Sequence, residues 1–220
     1  MTLEKDQSHY LLNVMRMAPG SGLEVFDGRT GAYPATLAGG SRKGAVLEMG
    51  ERDRPVRMPP DLWLLFAPIK KARTDFIVEK AAELGARRIV PVRTEFTNSE
   101  RVRSDRLRAH AIEAAEQCGG TFVPEVADMT SLSSVLDAWP DERTLVFCDE
   151  TQAGPATGWD ALPPGPAAVL IGPEGGFSEA ERARIAGIGH PVSLGPRVLR
   201  ADTAAVAALT LWQDRFGDWR

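Results

Sequence analysis

Two glycine-proline turns near the C-terminal end constrain the fold of this 220-residue chain more than any other feature. Gly172-Pro173 follows an apolar run at residues 167–171, and Gly195-Pro196 follows residues 191–194. Glycine permits backbone angles closed to other residues, and proline fixes φ and removes an N–H donor, so each turn is a stiff loop. Ligands of open α/β sheets bind beyond the carboxyl ends of the strands. The two loops therefore predict one ligand site, with plain turns as the alternative.

The rest of residues 59–220 alternates between strand and helix patterns. Continuous apolar runs predict buried strands at residues 62–68, 88–92, 144–148, 167–171 and 192–194. Helices are predicted at residues 74–84, 104–119, 132–139, 178–188 and 201–216, with Thr74, Ser104 and Ser178 as capping residues. Strands that alternate with helices indicate an α/β domain with a mainly parallel sheet and helices on both faces.

Residues 1–58 predict a small β-barrel instead. A strand at residues 23–26 ends at Asp27-Gly28, a strong hairpin signal, and further alternating runs occupy residues 33–37 and 45–49. Gly39-Gly40 is predicted to close the second run, and a short helix is predicted at residues 9–17. The charged, proline-bearing residues 52–60 look like a linker, so we expect domains at 1–58 and 59–220.

Composition places the chain among globular proteins, with 43% hydrophobic and 25% charged residues. No apolar run approaches the roughly 20 residues that a membrane-spanning helix needs. Cys118 and Cys148 have neither metal-ligand spacing nor a disulfide framework, so both are expected to be buried thiols in a reducing cytoplasm.

Charge is unevenly distributed along a chain whose net charge is −4. Residues 70–108 hold eleven basic and six acidic side chains, whereas residues 109–195 hold three basic and thirteen acidic ones. A basic block inside an acidic protein predicts a surface that faces phosphate groups, and a solvated face is the alternative.

Several familiar enzyme classes lack their signatures here. No Gly-Lys-Ser/Thr follows the first glycine-proline turn, no early G-x-G-x-x-G or G-x-S-x-G is present, and the three histidines lack metal-ligand spacing. What remains is a strand-end pocket of backbone groups with Glu174, Arg197, Arg200 and Asp202 nearby. Two arginines favour a phosphate or an electron-rich base, so the pattern fits a nucleoside cofactor beside a nucleic acid.

The same C-terminal residues resemble a known family. The strings LIGPEGGFSEAE at 170–181, SLGPRVLRADTAAVAAL at 193–209 and RFGD at 215–218 are similar to the RsmE family. Members are SPOUT-class methyltransferases that use S-adenosylmethionine to methylate uridine N3 in 16S ribosomal RNA. Further similarity at residues 9–16, 79–85, 116–119 and 123–125 extends the resemblance over nearly the whole chain.

The resemblance implies an architecture and partners. It implies a PUA-like RNA-binding barrel at 1–58 and a SPOUT domain at 59–220 that ends in a trefoil knot. It also implies a cytoplasmic homodimer that acts on 16S ribosomal RNA or the small ribosomal subunit. The implied cofactor contacts, mostly through the backbone, are Ile171, Gly172, Gly176, Leu194, Gly195, Arg197, Val198 and Leu199.

Catalytic and RNA-binding roles follow from the resemblance and from charge. Arg200 is the first candidate to stabilise a uracil anion, Arg197 is the second, and Glu174 is the candidate base. For Arg200 the alternative is a structural role, in which its side chain pairs with Asp202 or caps backbone carbonyls. Ordering of the loop is the alternative for Glu174. The predicted RNA contacts are Arg16, Lys70, Lys71, Arg73, Arg93, Arg101 and Arg103.

The chain also departs from the family pattern. Asp202 stands where the family has a longer glutamate, Gly120 stands where it has arginine, and a further N-terminal strand of family members has no counterpart here. Two alternative functions remain open. One is a SPOUT enzyme that methylates ribose 2′-O or guanine N1, and the other is a non-enzymatic RNA-binding assembly factor.

Overall fold

A computed structural model describes residues 1–98, 102–148, 154 and 158–220, and the chain forms two compact units, Met1–Arg57 and Met58–Arg220. The first unit contains an antiparallel sheet whose central strand pairs with the other three. Its elements are α1 (Lys5–His9), a π-helical turn (Tyr10–Val14), β1 (Gly22–Phe26), β2 (Gly31–Ser41), β3 (Gly44–Met49) and β4 (Arg54–Pro55).

The core of the first unit comes from alternating residues on β2 and β3. Ala35, Leu37, Ala45 and Leu47 are buried and pack together, as period-two alternation predicts. Three expectations were wrong in detail. The helix begins at Lys5, and the predicted linker contributes β4. Gly39-Gly40 does not close the second run, because β2 continues to Ser41 after a β-bulge between Leu37 and Gly39.

The second unit is an α/β domain, as predicted. Within the described residues its strands run in the order β11-β9-β10-β5-β6-β7, β8 also pairs with β6, and every pair is parallel. The strands are β5 (Leu62–Phe66), β6 (Arg88–Arg93), β7 (Glu125–Val126), β8 (Thr130–Ser131), β9 (Thr144–Cys148), β10 (Ala167–Ile171) and β11 (Gly189–Val192). The helices are α2 (Lys71–Glu83), α3 (Ser104–Gln117), α4 (Leu132–Asp137), α5 (Glu179–Ala186) and α6 (Ala201–Phe216).

Apolar side chains cover both faces of this parallel sheet. On one face, residues such as Leu64 and Val169 pack with residues of α2, α3 and α6. On the other face, residues such as Leu65 and Leu170 pack with residues of α4 and α5. Burial on both faces explains why β5 and β10 are continuous apolar runs rather than alternating ones. No helix among the described residues is long and apolar enough to cross a bilayer.

Three local expectations in this unit were also wrong. Ser104 does not cap α3, because it is the first residue of the helix and Arg103 occupies the N-cap position. Thr74 does not cap α2, because the helix already begins at Lys71, and the buried Thr74 hydroxyl bonds the backbone of Ile69 instead. The last strand ends at Val192 rather than at Leu194, so Leu194 belongs to the following loop. That loop therefore runs from residue 193 to residue 200, directly into α6.

Sheet register brings three strand ends together. Cys148, the last residue of β9, lies opposite Ile171 at the end of β10 and opposite Val192 at the end of β11. Because all three strands are parallel, the loops that follow them leave the sheet at the same edge.

Candidate functional site

A cavity of about 240 Å³ opens at the shared edge where β9, β10 and β11 end. Its walls combine the ends of these strands, the two glycine-proline loops and the first turn of α6. The lining residues are Cys148, Ile171, Gly172, Pro173, Glu174, Val192, Ser193, Leu194, Gly195, Arg197, Val198, Leu199, Arg200, Ala201 and Ala204. The prediction that the two loops meet in one site is confirmed at the level of geometry.

The first loop forms a tight turn on a buried aromatic ring. The Gly176 N–H donates to the Pro173 carbonyl at 2.9 Å, which closes the turn. A Cβ at Gly172 would lie 3.0 Å from the Phe177 ring, so a larger residue there would need the ring to shift by a few tenths of an ångström. Gly176 is buried and does not line the cavity, so its predicted contact with a cofactor stays a prediction.

The second loop is anchored by hydrogen bonds to distant parts of the chain. The buried Ser193 hydroxyl accepts from the Gly195 N–H and donates to the Gly154 carbonyl, both at 3.2 Å. The Trp159 indole N–H donates to the Ser193 carbonyl at 3.0 Å, and the Gly154 N–H donates to the Gly195 carbonyl at 3.1 Å. Four hydrogen bonds hold the loop beside the cavity, which fixes the backbone groups that line it.

Three charged side chains stand at the mouth of the cavity. Glu174, Arg197 and Arg200 are exposed, and none has an ion-pair partner in the described part of the chain. The alternative pairing of Arg200 with Asp202 was wrong, because the Asp202 carboxylate bonds Arg73 at 3.0 Å. Two guanidinium groups without an ion-pair partner among the described residues therefore border the cavity, and they favour negative charge in a bound molecule.

Sequence reasoning missed several residues of the wall. These are Cys148, Pro173, Val192, Ser193, Ala201 and Ala204. The end of an apolar strand was a usable signal for Cys148 and Val192, since sites of open sheets lie beyond strand ends. The two alanines line the cavity because small side chains on the first turn of α6 leave room beside the loops, a feature that needed the packing of the helix.

Cys148 contacts the cavity with a thiol that stays neutral. Burial raises the pKa of the Cys148 thiol to about 12. A neutral thiol is a weak nucleophile and behaves as a small apolar group. The side chain therefore contributes apolar surface to the wall rather than a reactive group.

The predicted RNA contacts differ in whether their side chains form ion pairs within the protein. Lys70, Lys71 and Arg93 are exposed and have no ion-pair partner within the described residues. Arg73 pairs with Asp202, and Arg103 pairs with Asp105 and lowers the pKa of that carboxyl. Arg101 lies outside the described residues.

The free cations share the edge of the sheet with the cavity. Lys70 and Lys71 follow β5, and Arg93 is the last residue of β6, so all three lie beyond or at carboxyl ends of parallel strands. Much of the remaining basic block is internally paired, through Lys80–Glu83, Arg88–Glu125, Arg106–Asp75 and Arg108–Asp128. The positive charge available to a ligand is therefore concentrated near this edge.

Arg16 belongs to the first unit and has an unusual backbone. Its φ is 53°, and it is the one non-glycine residue with positive φ in the described ranges. Such strain costs of the order of 1 kcal/mol and persists where surrounding structure imposes it, often at functional positions. The side chain is exposed.

The described residues contain no group of His, Cys, Asp or Glu side chains arranged to hold a metal ion. The chemistry of the cavity wall is instead that of apolar side chains, peptide groups and three charges. Such a lining suits an organic molecule with a flat apolar part and charged ends.

Comparison with known proteins identifies the family. A model described as RNA methyltransferase domain matches residues 57–213, and one described as RNA methyltransferase PUA domain matches residues 3–49. Ribosomal RNA small subunit methyltransferase E of Synechocystis is 31% identical over 95% of this chain and 71% of its own length. The protein of that name from Buchnera aphidicola is 28% identical, over 99% and 92% of the two chains.

Solved structures agree over the whole chain. A methyltransferase of Legionella pneumophila, with S-adenosylmethionine bound, has a TM-score of 0.91 at 29% identity and covers 99% of this chain and 93% of that one. The Neisseria gonorrhoeae ribosomal RNA small subunit methyltransferase E, bound to the same cofactor, has a TM-score of 0.89 at 29% identity, with coverage of 100% and 93%. The SPOUT class and the PUA-like N-terminal domain are confirmed, while the trefoil knot stays a prediction.

These matches overturn the alternative of a non-enzymatic assembly factor, because the methyltransferase model spans well over half of the chain. The chain is an RNA methyltransferase, and it belongs to the ribosomal RNA small subunit methyltransferase E family.

Proposed function

We propose that this enzyme transfers a methyl group from S-adenosylmethionine to N3 of a specific uridine in 16S ribosomal RNA. The observation that carries the proposal is the strand-end cavity, where an apolar wall from two glycine-proline loops is bordered by two arginines that pair with no acidic residue in the described ranges. Support for the substrate class comes from relatives named as small-subunit ribosomal RNA methyltransferases.

The wall of the cavity fits the proposed cofactor chemically. Ile171, Leu194 and Leu199 offer apolar surface to the adenine ring, and the peptide group of Gly172 and the second lone pair of the Gly195 carbonyl offer hydrogen-bonding partners for polar edges. The methionine part carries both a carboxylate and positive charge, which Arg197 and Glu174 at the mouth can match. The exposed side chains leave the mouth open, so a ligand can extend beyond the enclosed volume.

When bound, S-adenosylmethionine supplies an electrophilic methyl group for transfer to a ring nitrogen and leaves as an uncharged thioether. The residues of the chain must then favour loss of the N3 proton. Uracil N3–H is a weakly acidic imide, so a cation beside the ring lowers the free energy of the anion. Arg200 has this role in our proposal, with Arg197 in support, and Glu174 is the candidate that accepts the proton.

RNA is held, in this proposal, by the free cations at the same edge of the sheet. Lys70, Lys71 and Arg93 contact phosphates, and phosphate contacts position an RNA without reading its sequence. In the PUA-like unit, Arg16 contributes a further contact, and its strained backbone supports a functional role.

We also propose a homodimer and a C-terminal trefoil knot, because the family resemblance implies both. A cytoplasmic location is part of the same proposal, and ribosomal RNA as substrate supports it. Sedimentation equilibrium measures the mass in solution directly. A mass of one chain at micromolar concentration would contradict the dimer without affecting the proposed reaction.

The test of the proposed reaction is nucleoside mass spectrometry of 16S ribosomal RNA. RNA from cells that lack the protein should lose one N3-methyluridine, and purified enzyme with S-adenosylmethionine should restore it. Loss of a 2′-O-methylated ribose or of N1-methylguanine instead would replace the proposed reaction with the corresponding alternative. A normal set of modified nucleosides in the deletion strain would remove 16S RNA as the substrate.

Arg200→Ala tests the proposed catalytic role. Removal of one group that stabilises developing charge typically lowers kcat by about 10²–10³-fold, so we expect that loss with cofactor affinity retained. Stopped assays give kcat, and calorimetry gives the Kd of the cofactor. Arg184→Ala is the matched control, because Arg184 lies on α5 and pairs with Asp137 at the surface. Normal turnover by the Arg200 variant would exclude this residue from the mechanism.

A further inference from the structure

The Asp202 carboxylate, on the first turn of α6, is held on two sides. Its Oδ2 accepts from the Arg73 guanidinium at 3.0 Å, and its Oδ1 accepts from the Thr203 N–H at 2.9 Å. The Asp202 side chain is 16% exposed and the Arg73 side chain 33%. The pair joins the first turn of α2 to the first turn of α6, across 129 positions of sequence.

Arg200 lies immediately before the same turn. It caps the N-terminus of α6, and its carbonyl accepts the first helical hydrogen bond, from Ala204 at 2.7 Å. Its side chain is exposed at the cavity and has no ion-pair partner in the described part of the chain. Only two positions separate this guanidinium from the Asp202 carboxylate, so the long arginine side chain can reach the carboxylate whenever nothing else holds it.

We propose that Arg73 occupies the Asp202 carboxylate and thereby keeps the Arg200 guanidinium free for the substrate. Without Arg73, an unpaired carboxylate at the helix start would attract Arg200 and offset its positive charge. Arg73 is then a positioning residue rather than a phosphate contact. The inference rests on the proposed function, in which Arg200 stabilises the anion of the target base.

The short side chain at position 202 fits this role. An aspartate keeps its carboxylate beside the backbone of its own helix, where the Thr203 N–H holds it and the helix N-terminus favours negative charge. Arg73 reaches this fixed carboxylate from α2, which packs against α6.

The test is a double-mutant cycle on methyl transfer. Arg73→Gln keeps an unbranched polar side chain but removes the charge, and we expect kcat to fall about tenfold or more because Arg200 is captured. Asp202→Asn should lower kcat far less, because no carboxylate remains to capture Arg200. The double variant Arg73→Gln/Asp202→Asn should recover kcat to within about threefold of the wild type, a non-additive result that independent residues do not give. Arg73→Lys should retain most activity.

Two further readouts separate positioning from other roles. The pH–rate profile of Arg73→Gln should shift to higher pH, since the base anion loses its cation, and the double variant should reverse the shift. Cofactor affinity and the salt dependence of RNA binding should match the wild type in all variants. Arg108→Ala is the matched control, because it removes an arginine from an exposed ion pair with Asp128.

Three results would overturn the inference. A loss confined to KM, with a smaller salt slope and no rescue by Asp202→Asn, would make Arg73 a phosphate contact. Equal losses in Arg73→Gln and Asp202→Asn would make the pair a purely structural link between helices. Normal kcat in Arg73→Gln would show that the Arg73–Asp202 pair has no role in turnover. If the wild type makes no N3-methyluridine, the proposed function fails instead, so the two failures are distinguishable.

Discussion

At the scale of single residues, the second loop depends on one backbone conformation. Gly195 has a φ of 114°, which L side chains rarely adopt. Its N–H donates to the Ser193 hydroxyl within the loop, and its carbonyl accepts from the Gly154 N–H. The space around a Cβ at this position is open, so any cost of substitution comes from the backbone rather than from a clash. Glycine is therefore required here for conformation alone.

Gly195→Ala should destabilise the protein by about 1–3 kcal/mol and weaken cofactor binding, because the loop must strain or shift. Urea denaturation measures the stability, and calorimetry measures the affinity. Gly187→Ala is the matched control, since Gly187 already has a right-handed helical φ of −70°. That control should gain about 0.4–1 kcal/mol through the unfolded state. Equal effects in the two variants would contradict the conformational requirement.

The two cysteines should differ sharply in reactivity. Cys118 is exposed, whereas burial raises the pKa of the Cys148 thiol to about 12. Alkylation requires the thiolate, so at pH 8 iodoacetamide should modify Cys118 well before Cys148 in the native protein. Mass spectrometry of timed digests follows both sites, and urea should remove the difference. Rapid modification of Cys148 in the native state would contradict the burial of its thiol.

At the scale of elements, one arginine ties together the amino ends of three strands. The Arg143 side chain, 7% exposed, donates to the carbonyls of Asp61 and Ala167 at 3.1 Å and to the Asp61 carboxylate at 2.9 Å. Its guanidinium also stacks 3.7 Å from the centre of the Trp63 ring. These bonds align the starts of β5, β9 and β10, and the other ends of β9 and β10 line the cavity.

Arg143→Ala should lower the free energy of unfolding by about 2–4 kcal/mol, since it removes three hydrogen bonds and takes the cation away from the Asp61 carboxylate. Arg143→Lys should recover only part of the loss, because an ammonium cannot reproduce the planar fork. Chemical denaturation measures both. Arg108→Ala, which breaks an exposed pair, should cost no more than about 1 kcal/mol. A similar loss of stability in the two alanine variants would show that the buried Arg143 guanidinium contributes no more than an exposed ion pair does.

At the scale of the whole molecule, RNA binding must overcome a net charge of −4. Local cations at the cavity edge have to supply the attraction, because most of the basic block is internally paired. Binding should therefore depend on salt through a small number of phosphate contacts rather than through bulk charge.

Lys70→Ala and Lys71→Ala should each reduce the slope of log K against log salt by about 0.7, the value for one contact to single-stranded nucleic acid. Fluorescence anisotropy with a 16S RNA fragment at several salt concentrations gives the slope. Lys80→Ala is the control, because it lies on the same helix but pairs with Glu83. A flat salt response of the wild type would remove these lysines from the RNA contact.

Much of the fold could be predicted from local patterns. The apolar runs located β5, β9 and β10, and the Ser178 capping box located the start of α5, because both signals depend on near neighbours in sequence. The start of α2 and the end of β11 were missed. Thr74 has the chemistry of a cap, yet the buried backbone of Ile69 engages its hydroxyl, and only packing decides between those partners.

The sequence by itself determined the family and the two glycine-proline loops, since glycine and proline act on the backbone at their own positions. Only the tertiary structure decided that Cys148 lies beside Val192, because that contact depends on the order of strands in the sheet. It also decided that Asp202 pairs with Arg73 rather than with Arg200. The partner of a carboxylate depends on distances in space. Distances between residues 129 positions apart in the sequence are set by helix packing, which no local pattern encodes.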